Sequence, residues 1–95
     1  GTLRSATRGL RGRDVERLRS LAALAEGDTE RAVEGFARLA AADPDDHQTR
    51  LLYADALTAA GQLAEADAEL TALTALDAQN AEAWLMLGQN AVRAG

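Results

Sequence analysis

Three glycines in this chain are spaced evenly: Gly27, Gly61 and Gly95 lie 34 residues apart. Other residues follow the same step and agree in size or polarity: Ala32 with Ala66, Phe36 with Leu70, Leu39 with Leu73, Asp46 with Asn80, Tyr53 with Leu87 and Ala54 with Gly88. Agreement in both spacing and character indicates an internal structural repeat. The chain is therefore expected to stack similar units rather than to form an irregular globule.

The repeat unit is predicted to be helical. Apolar residues recur at i, i+3, i+4 and i+7, which predicts helices over about 14–26, 29–42, 47–60, 63–77 and 81–94. Alanine is abundant, and the chain has one proline and three aromatic residues. Because alanine loses no rotamer entropy and allows close packing, this composition favours an all-α fold.

The predicted helices carry suitable residues at their ends. Asp28, Asp46 and Asn80 each precede a predicted helix, where a side-chain oxygen can accept the unpaired backbone N–H groups. Pro44 follows the second helix and is expected to stop it. The repeated glycines come directly after helices, where a left-handed backbone is favourable for glycine. Gly61 is therefore predicted to be a turn between two helices.

The repeated unit resembles the tetratricopeptide repeat (TPR) family over about residues 13–95. The segment "AEAWLMLG" has the family's Trp, Leu and Gly as Trp84, Leu87 and Gly88. The segment "GDTERAVEGFARLAAADP" has the family's second-helix Gly, Ala, aromatic and Pro as Gly27, Ala32, Phe36 and Pro44. The resemblance implies an all-α fold in which antiparallel helix-turn-helix repeats stack as a right-handed TPR superhelix, here an α-solenoid fragment.

This register divides the chain into four segments. Residues 1–12 are a basic N-terminal segment or the tail of a preceding repeat helix, 13–46 and 47–80 are two TPR-like repeats, and 81–95 is the first helix of a truncated third. The first helix is divergent, and its apolar face is predicted to consist of Val15, Leu18, Leu21, Ala22 and Ala25.

The last helix is predicted to lack a partner. Trp84, Leu87 and Ala91 are then expected to form an exposed apolar face. This implies that the chain is an excerpt of a longer repeat array, or that a second copy or another domain covers its open end.

By resemblance, the first helix of each repeat forms a concave wall that binds a protein partner. The predicted partner-binding residues are Arg17, Leu51, Leu52, Asp55, Leu85, Met86 and Gln89. An apolar stripe beside Asp55 and Gln89 suits an amphipathic helix or the apolar side of an extended peptide. Two other interpretations stay open at this point: the same leucines could pack in the core, or the surface could mediate self-association as a homo-oligomer.

Charge and composition exclude several other kinds of partner. The formal net charge is −5, and every acidic residue follows the basic residues Arg4, Arg8, Arg11 and Arg13. An acidic body would repel phosphate, so nucleic acid is not an expected partner. No apolar stretch approaches the ~18 residues of a membrane span, so membrane insertion is not expected. The absence of cysteine leaves both cytoplasm and periplasm open.

The sequence offers little that could support catalysis or bind a metal. His47 follows Asp43, Asp45 and Asp46, but neighbouring side chains at a helix start diverge, and Asp46 is expected to be a cap. Catalytic nucleophiles need an adjacent base, and none is evident near Ser20.

We therefore expect a non-enzymatic interaction scaffold without cofactor or metal. The use of Arg to the exclusion of Lys, together with abundant Ala, indicates a bacterial source. An alternative is an accessory TPR segment of a larger bacterial enzyme or envelope export or assembly machine, in which the segment positions another domain.

Overall fold

Five helices follow one another along the part of the chain described by the computed structural model, residues 12–94. They are α1 (Gly12–Glu26), α2 (Thr29–Ala42), α3 (His47–Ala59), α4 (Leu63–Leu76) and α5 (Ala81–Ala94). All five predicted helices are confirmed, with ends that differ by at most two residues. The predictions for residues 1–11 and for the turn at Gly95 lie outside the described residues.

Two of the repeated glycines end helices in the way that the sequence predicts. Gly27 and Gly61 have positive φ values of 86° and 82°. After α3, the N–H of Gly61 donates to Thr58 O at 3.0 Å and the N–H of Gln62 donates to Leu57 O at 2.9 Å. This paired pattern is the Schellman motif, which satisfies the last carbonyls of a helix. The left-handed residue reverses the chain, and the next helix begins within two residues.

Side-chain caps start three of the helices. Asp28 accepts from the N–H of Arg31 at 3.4 Å, Asp46 from Thr49 at 3.3 Å, and Asn80 from Ala83 at 3.2 Å. All three predicted N-caps are thus confirmed. The N-cap of α4 is Gln62, whose side chain makes no such bond.

Each helix packs against the next one in the chain, and α3 also contacts α5. The buried apolar residues form two clusters. The first comprises Ala23, Ala32, Phe36, Leu39 and Ala56, and the second comprises Leu51, Ala54, Leu70, Leu73 and Ala83. Each cluster includes one alanine from the first helix of the following repeat, Ala56 or Ala83. A repeat's core is therefore closed by its neighbour, as expected of a solenoid.

The face that α1 buries differs from the predicted one. Leu18 is exposed, as are Ala22 and Ala25, whereas Ser20 and Ala23 are buried. Val15 and Leu21 are half-buried.

The reason for this difference is a close approach between small residues. A Cβ added to Gly35 of α2 would overlap the hydroxyl of Ser20, so glycine is what allows the two helices to meet there. Residues two apart point in nearly opposite directions around a helix, so Leu18 faces solvent where Ser20 faces Gly35.

None of the helices within residues 12–94 has the length and apolar character needed to span a membrane.

Candidate functional site

A groove runs between α3 and α5, which are the first helices of two successive repeats. It encloses about 220 Å³, and its lining residues are Asp55, Thr58, Ala59, Met86, Gln89, Asn90 and Arg93. Both walls are helical, so a regular backbone presents these side chains. Apolar, amide, acidic and cationic groups all border the groove.

A buried polar contact joins the two walls. Asn90 is only 2% exposed, and its Nδ2 donates to Thr58 Oγ1 at 3.1 Å. The Thr58 hydroxyl in turn donates to the carbonyl of Ala54 one turn earlier, at 3.0 Å. Because buried polar groups are costly to leave unpaired, this chain of bonds favours one spacing of α3 and α5. Asn90 is absent from the predicted site, although its spacing of three residues from Leu87 and seven from Ala83 places it on the inward face.

Three of the seven predicted partner-binding residues come together in this groove. Asp55 and Gln89 are exposed on opposite walls, and Met86 is half-buried between them and the second core cluster. Leu52 is also half-buried, but it packs against the first core cluster and does not line the groove. Core packing therefore buries part of the side chain of both Leu52 and Met86.

The structure corrects the placement of Leu51. This residue is 6% exposed and belongs to the second core cluster with Leu70, Leu73 and Ala83. Side chains from α4 and α5 cover it, so it cannot contact a partner on the concave wall.

Leu85 stands at the same position one repeat later and is 62% exposed, but it is not among the groove-lining residues.

Arg17 is already engaged with the next repeat. Its Nη2 lies 2.7 Å from Asp46 Oδ2 and 2.9 Å from Thr49 Oγ1. Burial alone would raise the pKa of Asp46, but hydrogen bonds from the Thr49 hydroxyl and amide, and then the charge and bond of Arg17, hold this pKa below its ordinary value. Asp46 is thus ionised at neutral pH. A partner could use Arg17 as a cation only by competing with this pair.

The expected exposed face of α5 is present in part. Trp84 is 53% exposed, and Ala91 is exposed as predicted. Leu87, in contrast, is half-buried against the second core cluster. The indole N–H of Trp84 donates to the carbonyl of Ala78 at 2.8 Å, which holds the ring against the turn that precedes α5.

The acidic stretch around His47 does not form a metal-binding cluster. His47 Nδ1 lies 3.4 Å from Asp77 Oδ2, a contact between the start of α3 and the end of α4. Over residues 12–94, no three His, Asp or Glu side chains are grouped so that they could hold a metal ion.

The comparison with protein families identifies the repeat. A family model described as "Tetratricopeptide repeat" matches residues 23–90, which is most of the chain. The chain belongs to the tetratricopeptide repeat family. The TPR match begins near the end of α1 and extends into α5, so it includes every groove-lining residue except Arg93. TPR repeats generally mediate protein–protein interactions. The comparisons with the curated proteins and with the solved structures found no significant match to this chain.

Proposed function

We propose that this TPR segment is a non-catalytic protein-interaction module that holds a short peptide segment of a partner protein in the groove between α3 and α5. The observation that supports the proposal is the groove itself, which has helical walls and groups of several chemical kinds around about 220 Å³. Ligand sites commonly combine an apolar surface with a few polar groups that fix orientation.

The side chains around the groove suggest what such a peptide must contain. Met86 provides an adaptable apolar surface, because its thioether chain is flexible and polarisable. Gln89 can both donate to and accept from a peptide backbone. Asp55 on one wall and Arg93 on the other favour a basic and an acidic group on opposite sides of the peptide. The expected ligand is thus an extended segment with one apolar anchor between polar residues.

The proposal can be tested with a random peptide display library selected against the 95-residue chain. Peptides that are enriched should be synthesised, and their affinity for the protein should be measured by calorimetry. Asp55→Arg is expected to weaken binding at least about tenfold, because it reverses the charge on one wall, and tenfold corresponds to about 1.4 kcal/mol.

Glu65→Arg is the matched control. Glu65 is exposed near the start of α4 and does not line the groove, yet the substitution makes the same change in net charge. Equal loss of affinity in the two variants would mean that overall charge rather than the groove controls binding. Failure of the library to yield any peptide whose binding depends on Asp55 or Gln89 would overturn the proposed site.

A further inference from the structure

A second stretch of concave surface lies on α1 and α3, on the far side of α3 from the groove. It is formed by the residues that stand 34 positions before four of the groove-lining residues, and we name these four the apolar step: Leu21, Leu24, Ala25 and Leu52. The three leucines are half-buried against the first core cluster, and the alanine is exposed. The concave surface is therefore apolar on one side of α3 and mostly polar on the other.

The apolar step faces the open side of the repeat array. Leu21 and Ala25 correspond to Asp55 and Ala59 one repeat later. Asp55 and Ala59 are exposed, although α1 precedes them and α5 follows them in the stack. Because these two positions stay open between described neighbours, the step is a solvent-facing surface and not a place where another repeat packs.

Asp55 stands on α3 between the groove and the step. Its carboxylate is exposed and lines the groove, and within residues 12–94 it has no hydrogen bond or ion pair. Met86 of α5 and Leu52 of α3, which occupy the same repeat position, provide apolar surface on its two sides. A segment that crosses α3 is therefore complementary to this surface when a basic residue lies between two apolar ones.

The distance between the two apolar surfaces favours one backbone conformation of the ligand. Packed helices have axes about 8–10 Å apart, so Leu52 and Met86 are expected to be separated by about this distance. A polyproline II segment has about three residues per turn and rises about 3.1 Å per residue, so side chains three apart share one face about 9 Å apart. In a β-strand the same two side chains would point to opposite sides.

We propose that the peptide held in the groove continues across α3 onto the apolar step as a polyproline II segment, with apolar residues at i and i+3 and a basic residue between them. One apolar side chain packs on Met86, the other packs on Leu21 and Leu52, and the basic side chain reaches Asp55. Because this conformation is already populated in free proline-rich chains, little ordering entropy is lost on binding. The inference rests on the proposed function and adds a second subsite and a ligand conformation to it.

Two blocked peptides of equal composition test the spacing. Acetyl-Pro-Leu-Pro-Arg-Leu-Pro-amide has its leucines three residues apart, and acetyl-Pro-Leu-Pro-Arg-Pro-Leu-amide has them four apart. NMR of the isotope-labelled 95-residue chain measures the binding of each. The first peptide should bind at least about tenfold more tightly, because only its two leucines can pack at the same time. Equal affinities of the two peptides would overturn the proposed ligand conformation.

The positions of the NMR shifts separate this inference from the proposed function. The first peptide should shift the backbone amide signals of both Ala25 on the step and Gln89 in the groove. Shifts confined to the groove would overturn the second subsite and leave the groove as a peptide-binding site. Absence of any shift would overturn the polyproline II ligand, whereas the groove itself would still be judged by the peptides selected from the display library.

Residue types that the chain already has two repeats later provide the variants. Gln89 and Arg93 occupy the positions of Leu21 and Ala25 in α5, so Leu21→Gln and Ala25→Arg introduce side chains that fit the fold there. Leu21→Gln removes an apolar contact, and Ala25→Arg repels the basic residue of the peptide. Each substitution should weaken binding of the first peptide at least about fivefold.

The matched control is Ala68→Arg, at an exposed position of α4 outside the concave surface. It makes the same change in net charge as Ala25→Arg and should leave the affinity of the first peptide unchanged. Circular dichroism of each variant verifies that the helices are retained. Equal effects of Ala25→Arg and Ala68→Arg, or full affinity of a folded Leu21→Gln, would overturn the role of the apolar step.

Discussion

Arg17 of α1 and Asp46 at the start of α3 form an ion pair in which Nη2 and Oδ2 are 2.7 Å apart. The contact joins the first helix of one repeat to the N-cap of the first helix of the next, across 29 residues of sequence. Asp46 thereby both begins α3 and fixes the position of α1 next to it. Asp46 therefore contributes both to the start of α3 and to the contact between two repeats.

Replacement of Asp46 by alanine should destabilise the protein. The variant loses the cap, which typically costs about 1–2 kcal/mol of unfolding free energy. The ion pair adds less than about 1 kcal/mol, because both side chains are partly open to solvent. Urea denaturation followed by circular dichroism measures the loss. Asp28→Ala removes a cap that has no bond to another repeat, so it should cost less, and an equal or larger cost at Asp28 would contradict the role assigned to Arg17.

The stabilising effect of Asp46 should disappear in acid. Its pKa is lowered in the folded state, so its contribution is fully present above the ordinary aspartate pKa of about 3.9 and is lost as the pH falls through the lower folded value. Asp46→Asn can still cap the helix but cannot titrate. The difference in unfolding free energy between the natural protein and this variant should therefore be constant from neutral pH to about pH 5 and shrink below pH 4. A difference that grows in acid would contradict the lowered pKa of Asp46 in the folded state.

Two glycine-to-alanine substitutions should have opposite effects. Gly88→Ala meets open space in α5 and should raise the unfolding free energy by about 0.5–1 kcal/mol through helix propensity. Gly35→Ala places a Cβ against Ser20, and the resulting overpacking should outweigh that gain by about 1 kcal/mol. Thermal unfolding at low protein concentration compares the two variants. Addition of Ser20→Gly to Gly35→Ala should recover stability, and failure to do so would mean that the helix contact is not what constrains Gly35.

The same substitution at two neighbouring repeat positions separates core from surface. Leu52→Asp should lower the unfolding free energy by about 1–3 kcal/mol, because Leu52 packs against the first core cluster. Leu85→Asp should change it by no more than about 0.5 kcal/mol, because Leu85 is 62% exposed. Chemical denaturation of both variants provides the comparison. Full stability of Leu52→Asp would place Leu52 on the ligand surface instead of in the core.

The positions of the helices and turns were largely predictable from the sequence, whereas the burial of particular leucines was not. Helix ends depend on local chemistry, so the glycine spacing and the capping residues Asp28, Asp46 and Asn80 were sufficient to place them. Leu51 and Leu85 occupy the same repeat position, yet one is buried and the other exposed. Their difference arises because α4 and α5 cover Leu51, whereas no helix described after α5 covers Leu85.

The sequence by itself determined the repeat length, the helices, the turns at Gly27 and Gly61 and the resemblance to the TPR family, because all of these depend on residues close in the chain. The tertiary structure decided that Ser20 rather than Leu18 faces α2, that Arg17 is bound to Asp46, and that Asn90 joins the walls of the groove. These outcomes depend on distances between helices. Such distances follow from how small residues and paired polar groups pack together, which a helical periodicity does not specify.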